Sequence, residues 1–330
     1  MPTWSEILAE LVRSQAQTGI AQFDAIRRKY LVKTYEATHR NVILYASKWT
    51  QPGAGVSPEL VSIVDEDIQG LMEVVHGLSG PNLDLILHSP GGSAEAAEAF
   101  VAYLRSKFDH IRVIVPQMAM SAATMIACAA DAIVLGKHSF LGPIDPQFVM
   151  STALGTRMAP AQAILEQFEQ AKTECIDPAK MGAWLPMLGQ YGPDLLIQCK
   201  NACEMSRSLV KDWLMTYMFR GDPNRENKAS GIADWLSDHA QFKSHGRHIP
   251  RSEVARRGLL VEDLEQNQLT QDLFLSVFHA TTHTFSGTAA VKIIENHLGK
   301  AFIKQAHPLG GPIPVQPPSE QSPQAPPEHP

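Results

Sequence analysis

Apolar runs and segments with helical spacing alternate along the first half of the chain. Four short runs rich in β-branched and aliphatic residues predict buried strands, at 41–47, 82–89, 111–116 and 132–136. The segments between them are alanine-rich or carry apolar residues at helical spacing, and they predict helices at 59–78, 93–107 and 121–130. Because strand and helix alternate, the pattern predicts a parallel sheet with crossover helices, which is an α/β fold.

The pattern changes on both sides of this region. The start of the chain has helical spacing over 3–37, with a break near Gly19. Beyond Pro146 the spacing predicts helices at 159–173, 193–220 and 270–304, the last with a break at Ser286–Gly287. The last residues are rich in Pro, Gln, Ser and Glu, which predicts disorder. We therefore expect an N-terminal helical segment (1–38), a central domain (39–265), a helical C-terminal extension (266–306) and a disordered tail (307–330).

Composition narrows the functional classes. The 330 residues carry a net charge of −6, so we expect no nucleic-acid partner. The four cysteines lack the spacing of metal ligands and fit a reducing compartment. No apolar run approaches the roughly 20 residues that span a bilayer, and the N-terminus lacks the cleavage site of a secretory signal. We expect a soluble, cytoplasmic protein, and peripheral contact with a membrane stays open.

Two predicted turns carry candidate chemistry. The glycine turn, residues 89–92 (Ser-Pro-Gly-Gly), follows the second predicted strand, and Ser121 follows the third and opens a helix of small residues. The plain interpretation is a turn that needs glycine and a serine that caps a helix. Both turns, however, reach the same edge of a parallel sheet, where such folds bind ligands. The amides of Gly91, Gly92 and Ala122 would then hold an oxyanion while Ser121 acts as a nucleophile.

These motifs resemble a known group of hydrolases. The glycine turn, Ser121, the Ala-Ala-Asp that ends at Asp131 and the phrase Leu-Gly-Pro-Ile-Asp-Pro-Gln (141–147) are similar to signal peptide peptidase A and Clp protease, and most of all to the serine dehydrogenase proteinase family. The similarity covers residues 40–265 and is strongest over 84–147. It implies a Clp/crotonase-like repeated ββα superhelix with a parallel sheet. It also implies a serine peptidase that forms an acyl-enzyme on Ser121, needs no cofactor, acts on a peptide or protein and assembles as a homo-oligomer.

The resemblance leaves the general base open. Where Clp protease has its histidine, this chain has Ile144-Asp145-Pro146. His138 is the histidine nearest to that position in sequence, but it does not stand at it. Signal peptide peptidase A uses a lysine further along the chain, and Lys172 stands at the corresponding distance, with Lys180 as the competitor. A lysine serves as a base only if burial lowers its pKa toward neutrality. We therefore expect a Ser121–Lys172 dyad, with Lys180 as the alternative base.

Two further segments have weaker signals. Pro143, Ile144 and Asp145 belong to the loop after the fourth predicted strand, and in peptidases of this fold such a segment pairs with an extended substrate. His245 and His248 lie close together, but no third ligand stands at a fixed spacing, so we expect no metal site. We expect this pair to be structural or to take part in a subunit contact.

Two other functions compete with the peptidase. A crotonase-type acyl-CoA enzyme would use a similar oxyanion hole, but its chemistry needs carboxylates and no serine nucleophile. A non-catalytic scaffold with the Clp fold would keep the turns without the reaction. The serine at the nucleophile's position favours the peptidase over both.

Overall fold

A computed structural model describes residues 3–51, 53, 55–152 and 155–306. The helices are α1 (Trp4–Thr18), α2 (Phe23–Thr38), α3 (Pro58–Val61), α4 (Asp67–Val75), α5 (Ala94–Arg105), α6 (Ala122–Cys128), α7 (Ala161–Glu174), α8 (Pro178–Leu188), α9 (Leu195–Trp213), α10 (Arg225–Ser237), α11 (His239–Phe242), α12 (Arg251–Arg256) and α13 (Gln268–Gly287). The strands are β1 (Asn41–Ser47), β2 (Asn82–His88), β3 (His110–Val115), β4 (Met118–Ala119), β5 (Ala132–Leu135), β6 (Phe140–Leu141), β7 (Gln147–Thr152), β8 (Gly155–Pro160), β9 (Ile249–Pro250), β10 (Val261–Asp263), β11 (Ala290–Asn296) and β12 (Ala301–Gln305).

Seven strands form the main sheet, in the order β10-β5-β3-β2-β1-β11-β12. The first five run parallel, and β11 and β12 close one side as antiparallel neighbours. The four apolar runs of the sequence became β1, β2, β3 and β5, with helices on the connections between them. The prediction of an α/β fold with a large, mostly parallel sheet is therefore confirmed.

Helices cover the sheet on both faces. Alternate residues of each strand point to opposite faces, so β1 sends Tyr45 into one core and Leu44 into the other. The first core is closed by α4, α5, α6, α9 and α10, and the second by α1, α2 and α13. A strand buried on both faces reads as a continuous apolar run, which is the pattern that the sequence displays at β1 and β2.

The prediction for residues 270–304 is only half right. Helix α13 ends at Gly287, close to the predicted break, but β11 and β12 follow instead of more helix. These strands belong to the main sheet, so the expected helical extension contributes part of the central structure. At the other end, α1 and α2 break at Gly19 as predicted. The tail predicted at 307–330 lies outside the described residues.

Two smaller units lie beside the main sheet and bear on the site. One is a three-stranded sheet in the order β4-β6-β9, and the other is the β7–β8 hairpin, which packs with α7 and α9. Throughout the described ranges, no helix has the length and apolar character needed to cross a membrane.

Candidate functional site

The glycine turn and Ser121 meet because β2 continues into contact with β4. Ser89 N–H donates a hydrogen bond of 3.2 Å to Met118 O, and Met120 N–H donates one of 3.0 Å to Ser89 O. These two bonds pair the end of β2 with the segment that precedes Ser121. The structure therefore brings together the two turns that the sequence placed at one sheet edge.

Both glycines of the turn occupy positions that leave no room for a side chain. A Cβ on Gly91 would lie 2.6 Å from Met120 O and 2.7 Å from Ser121 Cβ, and the residue has φ +97°. A Cβ on Gly92 would lie 2.2 Å from Ile63 O. Gly91 thus lies directly against the serine, and Gly92 lies against the segment after α3.

The amides differ in what they can bind. Gly91 N–H donates to Ser89 Oγ at 3.2 Å, so this predicted oxyanion donor is already engaged. Among the residues that the structure describes, the N–H groups of Gly92 and Ala122 have no hydrogen-bond partner. The geometry therefore leaves two of the three predicted donors free, one on the glycine turn and one directly after Ser121 in the chain.

Ser121 sits on a strained bend between β4 and α6. Its backbone has φ 52° and ψ −121°, which a residue with a Cβ rarely adopts and which costs on the order of 1–3 kcal/mol. Hydrogen bonds hold the bend: Thr124 Oγ1 donates to Ala119 O at 2.8 Å and accepts from Gly142 N–H at 2.9 Å. The Ser121 hydroxyl bonds to no other described residue. A strained bend between strand and helix is how α/β hydrolases expose a nucleophilic serine.

Ser121 opens into a cavity of about 660 Å³, which is within the usual size of a ligand site. The glycine turn and Ala122 form one side of the cavity, and the apolar side chains on its wall include Met125, Ile144, Phe148, Met158 and Met205. Lys48 and Glu95 bring opposite charges to the lining. The hydrogen bond from Ser93 Oγ holds the pKa of Glu95 below its usual range, so this carboxylate stays charged.

The cavity also contains a histidine that is bonded to a buried carboxylate. His245 lines the cavity, and its Nδ1 lies 2.7 Å from Oδ1 of Asp145, which is only 1% exposed. His239 occupies the other oxygen of the same carboxylate, with its Nδ1 2.9 Å from Oδ2, but it does not line the cavity. A carboxylate at Nδ1 fixes the tautomer in which Nδ1 is protonated and Nε2 is free to accept a proton.

The structure does not bring the predicted lysines to the cavity. Lys172 lies in the last turn of α7 with 58% of its side chain exposed, and its Nζ pairs with Glu169 at 2.7 Å. Lys180 lies exposed on α8, and His138 lies exposed after β5. None of the three lines the cavity. The burial that a lysine base requires is therefore missing at both lysines.

The predicted substrate loop is only partly correct in its geometry. Ile144 lines the cavity, whereas Pro143 is buried away from the lining and Asp145 faces the two histidines. Ile144 N–H also donates to Leu236 O at 2.9 Å, so this N–H is not available to a substrate strand.

His245 is the site residue that the sequence interpretation missed. Its distance along the chain from Ser121 matches neither the histidine of Clp protease nor the lysine of signal peptide peptidase A, and the sequence predicted a structural role or a subunit contact for it and for His248. The structure separates the two: His248 stacks on Phe140 with ring centroids 5.1 Å apart. Over the described part of the chain, no group of three or more His, Cys, Asp or Glu is placed to hold a metal ion.

Comparison with known proteins supports the family resemblance. Residues 64–181 match the family described as ClpP-like SDH-type serine proteinase, which confirms the resemblance predicted from the motifs. The matched range includes the glycine turn, Ser121 and Asp145 but ends before His245.

Two proteins of Methanocaldococcus jannaschii are similar to parts of the chain. The uncharacterized protein MJ0137 is 32% identical over 162 residues, which are 49% of this chain and 54% of that protein. The uncharacterized protein MJ1495 is 40% identical over 86 residues, 26% of this chain and 27% of that protein. The chain thus spans about half or less of the length of these relatives.

Proposed function

We propose that this protein is a serine peptidase in which Ser121 attacks the carbonyl carbon of a peptide bond. One observation carries the proposal: Gly92, Ser121 and Ala122 line one open cavity, and among the described residues neither the two N–H groups nor the serine hydroxyl has a hydrogen-bond partner. Two preorganised donors next to a nucleophile are what acyl transfer requires, because negative charge develops on the carbonyl oxygen in the transition state. The match to serine proteinases over residues 64–181 supports the same reaction.

The base in this proposal is His245, and Asp145 orients it. Lys172 is exposed, paired with Glu169 and absent from the cavity lining, so it lacks the burial that a lysine base requires. A histidine whose Nδ1 faces a buried carboxylate has an Nε2 that can accept the serine proton, and the carboxylate stabilises the imidazolium that forms. Hydrogen bonds between nucleophile and base are often long before substrate binds, so a shared cavity is the relevant geometry here.

The steps follow the usual order of serine hydrolysis. Ser121 Oγ forms a bond to the carbonyl carbon while His245 Nε2 takes the hydroxyl proton. The oxyanion rests on the amides of Gly92 and Ala122, and the imidazolium then gives its proton to the leaving amine. Water repeats the sequence on the acyl-enzyme and restores the serine. No step calls for a cofactor.

The cavity supports an extended peptide with an apolar side chain beside the scissile bond. Methionine side chains on its wall adapt to several apolar shapes, which favours broad acceptance of Leu, Met and Phe. A homo-oligomer is part of the proposal, because the family resemblance implies one and the β7–β8 hairpin exposes Val149 and Met158.

Covalent labelling tests the nucleophile directly. A fluorophosphonate probe, whose phosphonyl oxygen uses the same oxyanion donors, should modify the folded protein at Ser121, as located by peptide mass spectrometry. Ser121→Ala should abolish the label. Ser206→Ala is the matched control, since Ser206 also lines the cavity, and it should retain the label. A wild-type protein that takes no label, or takes it at another residue, would overturn the proposal.

A further inference from the structure

A fully buried ion pair lies behind the site and takes no part in the reaction proposed above. Lys292 on β11 and Asp67 at the start of α4 are each at most 1% exposed, with Nζ and Oδ1 2.7 Å apart. Tyr45 OH donates to Asp67 Oδ2 at 2.7 Å, and Lys304 Nζ lies 3.7 Å from Oδ1. Burial lowers the pKa of Lys292, although the charge of Asp67 opposes that shift. A buried pair of this kind often adds little to stability, so its presence raises the question of what else it does.

Lys292 and Asp67 form hydrogen bonds with the backbone on both sides of Ile63. Lys292 Nζ donates to Ser62 O at 2.6 Å, and Val64 N–H donates to Asp67 Oδ2 at 3.0 Å. The residue between these two contacts is therefore fixed by charged groups that cannot move without losing their partners.

Ile63 in turn holds the glycine turn. Ile63 N–H donates to Gly91 O at 2.8 Å, and Ser93 N–H donates to Ile63 O at 3.0 Å. These bonds lie on either side of Gly92, whose free N–H is one of the two oxyanion donors, and Gly92 packs directly on Ile63. A continuous series of contacts thus runs from the buried pair to the amide that faces the substrate.

We infer that Lys292 and Asp67 are positioning residues that fix the Gly92 amide through Ser62, Ile63 and Val64. The inference rests on the proposed function, because it gives that amide its catalytic role. Oxyanion donors are effective only when they are held in place before the reaction, and a backbone amide on a bare glycine turn has no side chain to anchor it. The ion pair holds this amide in place from behind, through its contacts with Ser62 and Val64.

Lys292→Met tests the inference against a matched control. Arg27 is also fully buried, pairs with Glu295 on the same strand β11, and lies on the opposite face of the sheet. Arg27→Met therefore disrupts a comparable pair without touching Ile63. In folded protein, Lys292→Met should slow fluorophosphonate labelling of Ser121 by about 10-fold to 100-fold. Its apparent probe affinity should stay unchanged, because the loss belongs to the transition state. Arg27→Met should label near the wild-type rate, and equal rates in the two variants would overturn the inference.

A second variant guards against misfolding. Lys292→Met leaves the Asp67 carboxylate buried without its main partner, whereas Lys292→Met/Asp67→Asn removes both charges and leaves no unpaired ion. The double variant also lacks the contact from Lys292 to Ser62 O, so it should label as slowly as the single variant.

Amide hydrogen exchange measures the strength of the same contacts independently of the labelling reaction. The amides of Ile63 and Ser93 should exchange faster in the double variant than in Arg27→Met or the wild type. Unchanged exchange would contradict the positioning role even if labelling fell. A wild-type protein that takes no label would overturn the proposed function alone, since the exchange result judges the contacts independently.

Discussion

Ser121 has a backbone conformation that serine rarely adopts, and the surrounding residues must hold it there. Gly91 does so from one side, since it packs against Ser121 Cβ at a distance that excludes a side chain of its own. Thr124 does so from within α6, by hydrogen bonds to Ala119 and Gly142. At the scale of residues, the close packing of Gly91 therefore helps to keep Ser121 in its strained conformation.

Gly91→Ala should damage the site specifically. The new Cβ would press on Met120 O and Ser121 Cβ, so the serine or the glycine turn has to move, at a cost on the order of 1–3 kcal/mol in unfolding free energy. Labelling of Ser121 in the folded variant should then be strongly reduced.

Gly80→Ala is the matched control for this substitution. Gly80 also has a positive φ, of +86°, but a Cβ there meets nothing within 4 Å. This variant should lose some stability through backbone strain while labelling remains close to that of the wild type. Equal labelling in the two variants would show that contact between Gly91 and Ser121 has no bearing on the site.

At the scale of elements, some segments could be predicted from sequence and others could not. Strands β1 and β5 are mostly apolar runs, and β2 and β3 each carry a single Asp or Arg within such a run, so their sequences alone identify them. Strand β11 contains Lys292 and Glu295 within a buried run, and these charges are tolerated only because Asp67 and Arg27 lie across from them in the folded protein. Partners from distant segments are invisible to a local pattern, and β11 was therefore mistaken for helix.

The same distinction separates the parts of the site that were foreseen from those that were not. The glycines and the serine stand in short turns after predicted strands, so the local sequence indicates where they lie. Because parallel strands end at the same edge of a sheet, the two turns could be expected to meet. The Asp145–His245 contact joins the loop after β6 to the loop after α11, and only the fold creates it. Lys172 was chosen from spacing and from apolar neighbours, but Ala171 occupies the buried face of α7 and Lys172 projects from the exposed one.

The β7–β8 hairpin carries a prediction about assembly. Val149 pairs with Met158 across the hairpin, both residues are 68% exposed, and Met158 places this face of the hairpin beside the cavity. If subunits meet through this face, Val149→Asp should lower the molar mass measured by light scattering, since burying a carboxylate without a partner is costly. Leu269→Asp, on α13 at a position that is 60% exposed, should leave the mass unchanged. A wild-type monomer, or an unchanged mass in Val149→Asp, would contradict this assembly.

At the scale of the whole molecule, a buried histidine ties stability to pH. His88 on β2 lies beneath Trp49 and against Phe278, with ring centroids 5.7 and 4.9 Å away. Burial lowers the pKa of His88 to about 3, and the hydrogen bond with the Met118 backbone only partly opposes this. The unfolded chain, with an ordinary histidine pKa near 6.5, binds the proton first. Burial of neutral His88 therefore costs no unfolding free energy above pH 6.5, and the folded state loses stability as the pH falls from 6.5 toward 3.

Denaturant unfolding at pH 8 and pH 4 measures this loss. Between these values the wild type should lose about 3 kcal/mol more unfolding free energy than His88→Gln, in which the titrating group is absent. The comparison cancels the other groups that titrate over the same range, because both proteins contain them. Parallel losses in the two proteins would mean that His88 is protonated as readily in the folded state as in the unfolded one.

The most direct test of the account compares the two histidines that share Asp145. His245→Gln and His239→Gln each remove one partner of the same buried carboxylate, but only His245 lines the cavity with Ser121. The measurement is the second-order rate constant of fluorophosphonate labelling at Ser121, with Lys172→Gln in parallel. We expect His245→Gln to lower this constant by about 100-fold or more, as loss of a general base does, while His239→Gln and Lys172→Gln stay near the wild-type value. An undiminished rate in His245→Gln, or a collapse in Lys172→Gln, would contradict the account.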